Sequence, residues 1–484
     1  MNYTFSPEKF INNFKVDIDK KKGADALRLI NKQGIRIKIF PYSATSNKQA
    51  PIVTDLKDII GDFVQKILNI KAFNANFGQI KQYIQDEVNV SEQNDLDELI
   101  ENIRLLFFRN GKFVTNNIGL YAYQGKPEKG SKETERYNKS VNELSTFLYN
   151  VFNIGEEDEQ LIKSVMEHYQ YNVLEKLIID AIRSSEKIKV NETREENIYF
   201  TEFKRAGKMF KKDFHFMLNN GMTTPKDLSN LFALYYLFYT SQTCVLLDSF
   251  GSGEENKLVP MYFALDWEKV SKNRKACQEG WKKLEQKVNH ILYHAVTLEL
   301  LNQIDDEKVV YDYKSLSYFV ESGELNDHRT AEEIRKIEQF YTDAIGDYKG
   351  FNTIPKKYGK NETDSAMRHL FECVQAQFEH TKRKRASSAY CEKLTSFYKN
   401  RWLKNRKRAG LVFNLTESDI IFLTKITIQD HDQIRLVDLF KEYENRGIYL
   451  DNSSKEKLQN FFTRLNVLDK KSDSGDAQYV RRIL

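Results

Sequence analysis

Apolar positions recur at helical spacing through most of the chain. Leu56, Ile59, Ile60, Phe63, Ile67 and Leu68 fall on one helical face, and Leu96, Leu99, Ile100, Ile103, Leu106 and Phe107 repeat the pattern. Similar stripes cover 137–152, 158–183, 202–218, 267–304 and 330–345, the fourth reading as one long helix. Ile35, Ile37 and Ile39 alternate with Arg36 and Lys38 ahead of Pro41, the period of a half-buried strand. Seven prolines in 484 residues favour long helices. No fixed period repeats, so an irregular helical bundle is expected rather than a solenoid.

From 364 a helix free of Pro and Gly is expected to run to about 406, with Met367, Leu370, Phe371, Val374 and Phe378 on its inner face. After Gly410, Thr416 caps a helix containing Ile420, Ile421, Leu423 and Ile426. A second helix carries Leu436, Leu439, Phe440 and Tyr443 and stops at Gly447. A third, capped by Ser453 or Ser454, turns Leu458, Phe461, Phe462 and Leu465 inward. Segments 467–471 and 479–483 then flank a hairpin turn, SDSGD. The expected fold is therefore mainly α: an irregular helical body, a long basic helix and a C-terminal winged helix-turn-helix. The expected segments are a mixed 1–50, helical domains at 51–125 and 133–347, the basic helix at 361–408 and the winged helix at 409–484. The polar loop 125–132 marks one boundary.

Charge sharpens this division. The whole chain is only +5, yet 356–484 holds 26 Lys+Arg against 17 Asp+Glu, a net of +9 that leaves −4 for the rest. A polyanion-facing C-terminal part on a mildly acidic body follows. Four scattered cysteines without a CxxC pair read as reduced thiols of a cytoplasmic protein. The opening MNYTFSPEKF lacks a signal-peptide apolar run. Residues 228–247 are uncharged and long enough to span a bilayer, but Ser229, Asn230, Thr240, Ser241, Gln242 and Thr243 interrupt them. A buried core helix is expected there, and no membrane association.

Catalytic signatures are missing. There is no Walker-type phosphate loop, HExxH, G-x-S-x-G or kinase motif. His290 and His294 sit one helical turn apart, but no carboxylate or Cys obviously completes a metal set. Glu202-Phe203-Lys204 and Glu285-Gln286-Lys287 match the Glu-x-Lys fragment of metal-dependent nucleases, in helical rather than strand context and at the frequency chance supplies. No catalytic residue, metal or cofactor is assigned.

Residues 381–408 hold eleven Lys/Arg and one acid, Glu392. Such density favours phosphate neutralisation with counterion release. Lys382, Arg383, Lys384 and Arg385 form one cluster of expected DNA contacts; Lys399, Arg401, Lys404, Arg406, Lys407 and Arg408 form the other. Tyr390, Phe397, Tyr398 and Trp402 interleave them, either to stack on unpaired bases or to pack inward. From Gly410 onward eleven basic residues face twelve acidic ones. The third helix and wing carry Lys455, Lys457, Arg464, Lys470, Lys471, Arg481 and Arg482, which suits DNA on that side; the near-zero net charge suits protein docking equally.

The series GLVFNLTESDIIFLTKIT, IRLVDLFKEYENRG and LNVLDKKSDSGDAQYVRRIL, with DSAMRHLF and the basic stretch before it, resembles the C-terminal part of the DptG (DndG) family. The resemblance is firmest over 360–484. It implies a component of a bacterial DNA-phosphorothioation-dependent restriction system, acting with two ATPase-type partners, DptF and DptH, and defined by no active site. The expectation is a non-catalytic DNA-engaging and scaffolding subunit. A diverged metal-dependent nuclease and a protein-only assembly adaptor are the alternatives.

Overall fold

The computed structural model describes residues 2–16, 29–42, 56–71, 75–89, 92–109, 111–124, 131–185, 189–192, 194, 197–253, 257–306, 308–470 and 478–483. Residues 125–130 of the expected boundary loop 125–132, the turn 472–476 and Lys471 lie outside them.

The described chain is mainly helical. The N-terminal half runs through α1 (Pro7–Phe14), α2 (Ile60–Ile67), α3 (Phe77–Glu87) and α4 (Gln93–Phe107). A short hairpin of β1 (Phe108–Arg109) and β2 (Lys112–Phe113) leads to α5 (Ile118–Tyr121), α6 (Lys132–Val151), α7 (Glu156–His168) and α8 (Val173–Ser185). The centre holds α9 (Lys204–Asn219), α10 (Pro225–Asp248), β3 (Tyr262–Leu265), α11 (Lys275–Gln278), α12 (Trp281–Leu301), α13 (Tyr313–Glu321) and α14 (Asp327–Ala344).

The uncharged stretch is α10, capped by Thr224 with Pro225 in its first turn. Leu228, Phe232, Tyr235 and Tyr239 are buried on several sides of it, which is why its sequence lacks an amphipathic period. Its polar groups are bonded inside the protein: Thr240 Oγ1 donates to Tyr236 O, and Gln242 pairs with both backbone groups of Val259. No helix among the described residues is long and apolar enough to cross a membrane.

Three expectations are corrected. Residues 267–304 are not one helix: only the short α11 lies within 267–279, and Gly280, tucked against Tyr262 O where a Cβ would sit 2.5 Å away, starts α12. Ile35–Ile39 form no ladder, because the Ile35 and Arg36 amides donate to the buried Glu299 carboxylate. The long basic helix is two helices, α15 (Glu362–Glu379) and α16 (Lys384–Arg401). The chain turns at His380–Arg383, where Arg383 is bound to Asp347, Asn31 and Leu29 O.

Past α16 come β4 (Leu403–Asn405), a turn, and β5 (Leu411–Leu415). Then follow α17 (Glu417–Ile428), β6 (Gln433–Arg435), α18 (Leu436–Asn445), β7 (Tyr449–Leu450), α19 (Asn452–Arg464), β8 (Leu468–Lys470) and β9 (Gln478–Arg481). Asp451, not a serine, caps α19. The last strands pair antiparallel in the order β6-β9-β8. A second sheet runs β4-β5-β3-β7, with β3 parallel to both β5 and β7. It stitches the C-terminal unit to the centre of the chain, and one apolar core extends from Tyr3 to Val480. A smaller core joins α3, α4 and the β1–β2 hairpin to α8.

Candidate nucleic-acid interface

The basic segment is divided by the fold into cations that build the structure and cations that face solvent. Arg406 braces the β3–β5 edge: it donates to Asn414 Oδ1, Leu265 O and Asp266 O. Lys404 pairs with Asp266 at 2.5 Å, and Arg401 reaches Asn230 and stacks on Trp402. Arg383 holds the α15–α16 turn as described. These four are each engaged by protein groups, Lys404 in a pair that remains partly open to solvent. Lys393 is also buried, and desolvation lowers its ammonium pKa.

The exposed remainder is Lys382, Lys384, Arg385, Lys399, Lys407 and Arg408, none with an ion-pair partner among the described residues. On α16, Arg385, Ser388, Glu392, Ser396 and Lys399 follow one helical stripe with an acid at its middle, so its charge is modest. The interleaved aromatics turn inward: Tyr390 and Tyr398 are fully buried, Phe397 packs edge-on against Tyr236, and Trp402 is buried beside Phe263. They offer no surface for base stacking.

The turn at Lys407–Ala409 (Lys407 φ +55°) packs beside the loop that follows β3. Val270 of that loop and Ala409 of the turn cover one small cluster of Ala264, Ala276, Cys277 and Val412, and Cys277 Sγ donates to Ala409 O at 3.2 Å. The two segments packed on this cluster carry Lys407 and Arg408 on one side and Lys269, Lys272 and Lys275 on the other, all exposed. Lys275 Nζ also lies 5.4 Å from the Tyr262 ring. Loop cations of the centre were not legible as partners of a C-terminal turn, since only the β3–β5 pairing brings them together.

The same loop anchors α19. Arg274 binds Glu268, Asp451 and Ser454 Oγ, and the Trp267 and Phe461 rings lie 5.1 Å apart. On α19, Lys457 and Arg464 are exposed, the latter over the Phe461 ring at 5.8 Å. Lys455 is engaged by Glu444, Arg481 by Asp469 and Asn466 O, and Arg482 by Asn220. Lys470 closes β8.

A second basic surface went unread in the sequence. Lys204, Lys208 and Lys211 repeat at helical spacing on α9 and line an open cavity of about 860 Å³ with Arg36 and Lys38. Gly207 allows α9 to approach the Phe152 backbone there, where a Cβ would meet it at 3.0 Å. Lys211 Nζ is 3.6 Å from Asp158; Lys38 stands over the Tyr199 ring, and burial lowers its pKa. The spacing KRAGKMFKK was the available signal.

The nuclease-like fragments are not assembled. Glu202 is turned inward toward Tyr313 and Lys314, and desolvation raises its carboxyl well above the usual range. Lys204 faces the other cavity. Glu285 is exposed while Lys287 binds Asp248.

Neither protein-family models nor curated proteins give a match to this chain.

Proposed function

We propose that the chain is a non-catalytic, DNA-engaging and scaffolding subunit of a phosphorothioation-dependent restriction complex in the cytoplasm. It acts with ATPase-type partners that resemble DptF and DptH. The observation that carries the DNA-binding part is the packing of the 407–409 turn and the 269–277 segment on one small cluster, two segments that bear the exposed Lys407, Arg408, Lys269, Lys272 and Lys275. Five exposed cations on two short, packed segments favour backbone phosphates over base edges. The restriction context rests on the resemblance of 360–484 to the DptG family.

The reading of the C-terminal unit as a winged helix is supported by its order of elements, α17, β6, α18, β7, α19, β8, β9, with β7 paired to β3 in the other sheet, and by the central place of β9 between β6 and β8. In that reading α19 presents Lys457 and Arg464, and the β8–β9 hairpin is the wing. The engagement of Lys455, Arg481 and Arg482 favours a second use of this unit, docking of a partner protein.

The test is a titration of duplex DNA against the Lys272→Ala, Lys275→Ala, Lys407→Ala, Arg408→Ala variant over a range of salt. A weaker affinity and a slope of log K on log salt reduced by about 0.9 per lost phosphate contact are expected. Unchanged affinity and slope would leave the protein-only adaptor as the better reading.

A further inference from the structure

Three side chains with no part in the DNA surface meet where α10 ends against α12. Asp248 is the last residue of α10, and His290 and His294 lie one turn apart on α12. Asp248 Oδ1 is 2.9 Å from His290 Nδ1 and 3.7 Å from His294 Nε2. Donors bonded to one tetrahedral zinc ion at about 2.0–2.1 Å are themselves about 3.3 Å apart, so the two distances bracket the ligand spacing.

The surroundings orient each donor. Tyr313 Oη lies 3.1 Å from His294 Nδ1, which turns Nε2 toward the carboxylate. Lys287 Nζ binds Asp248 Oδ2 and leaves Oδ1 to the histidines. Phe371 stacks on the His294 ring with centroids 4.3 Å apart. Such contacts beyond the donors fix ring orientation at metal centres.

One nitrogen is left over. His294 is 0% exposed, and its Nε2 has no hydrogen-bond partner among the described residues. A buried polar atom without a partner is destabilising and calls for an explanation. Asp248 and His290 retain some exposure, so an ion has a route in from solvent.

We propose that Asp248 Oδ1, His290 Nδ1 and His294 Nε2 bind one divalent transition-metal ion of the zinc class, with solvent in the fourth position. Two imidazoles and a carboxylate suit such an ion better than magnesium or calcium, which take oxygen donors. The ion clips the end of α10 to α12. The neighbouring Lys287 ammonium opposes the ion's charge and moderates its affinity. Glu338, His369 and Cys373 form a second group of donors within reach of one another. There His369 Nδ1 is already bonded to Glu338 at 2.8 Å, so no imidazole nitrogen is orphaned.

The full chain, stripped with a chelator, is titrated with zinc in competition with a chromophoric chelator, and separately with cobalt(II). About one equivalent is expected to bind, with four-coordinate cobalt absorption and no thiolate charge-transfer band. Asp248→Asn and His290→Gln, at partly exposed positions, are each expected to weaken binding by at least about tenfold, while Cys373→Ser leaves it unchanged. Zinc raises the thermal midpoint of the wild type and not of His290→Gln. Absence of binding by the wild type, unchanged affinity in both variants, or a thiolate band from Cys373 would each overturn the assignment. The cobalt spectrum of the wild type decides the matter even where a variant fails to fold.

Discussion

Arg446 and Asp213 form a bidentate ion pair in which neither side chain is exposed: Nε to Oδ2 and Nη2 to Oδ1, both at 2.7 Å. Asp213 also accepts from Tyr235 Oη and Gln429, and Arg446 reaches Glu442 and Ile426 O. The pair ties the end of α18 to α9 through a network without loose ends. Removing one partner from such a site strands a buried charge, which costs far more than a surface pair is worth. Asp213→Ala is expected to lose about 3–5 kcal/mol in chemical denaturation. The double variant Asp213→Leu, Arg446→Met is expected to recover most of that loss. A single-variant loss below about 1 kcal/mol would equate the pair with an exposed one.

The division of the basic segment predicts a double dissociation. Arg406→Gln removes bonds to Asn414, Leu265 O and Asp266 O, and is expected to destabilise by about 1–3 kcal/mol. Lys407→Ala with Arg408→Ala is expected to stay within about 0.5 kcal/mol of wild type while flattening the salt dependence of DNA binding. Thermal melts and salt titrations on the same two variants separate the effects. If Arg406→Gln altered only DNA binding, the division would be wrong.

Gly447 ends α18 with φ +79°, and an added Cβ would collide with the Phe238 ring of α10. Gly447→Ala therefore meets both backbone strain and overpacking, and a loss of more than about 1 kcal/mol is expected. Urea unfolding measures it. Full wild-type stability would mean that α10 and the α18–β7 turn are less closely packed.

His294 gives the protein an acid sensitivity with a definite sign. Its folded pKa of about 4 lies below the ordinary histidine value, so the unfolded chain binds the extra proton as pH falls. Stability from this group is complete above about pH 6.5 and is lost toward pH 4, by an amount on the order of 3 kcal/mol. Asp248 is held well below the usual carboxylate range by its His and Lys donors despite burial, and adds to the loss at lower pH. Denaturation midpoints measured with a chelator present, from pH 7 down, are expected to fall more steeply for the wild type than for His294→Phe. Parallel curves would remove His294 as the cause.

Residues close in sequence were read well, and residues joined only by the fold were not. The caps and apolar faces of α17 and α18 follow from Thr416, Ile420, Leu439 and Tyr443, because capping and helical period are local. The strands β3, β4, β5 and β7 escaped notice: β3 and β5 are buried on both faces and leave no alternation to detect, and β4 and β7 are only three and two residues long. The break between α15 and α16 carries neither Pro nor Gly; it is made by Arg383 reaching Asp347 and the N-terminal segment. Of the candidate site, Lys407 and Arg408 were named for their charge density, but their companions Lys269, Lys272 and Lys275 arrive through the β3–β5 pairing. Asp248 likewise joins His290 and His294 only because α10 packs on α12.

The position of β3 also sets an order of events during synthesis. Its hydrogen-bonding partners on both sides, β5 and β7, are made only after α12, α14, α15 and α16 have been added. Until then both edges of β3 are unpaired, the state in which a strand recruits other chains. The C-terminal unit therefore acts as an internal lock on the folding of the middle of the protein. A chain halted before residue 411 leaves that strand uncovered.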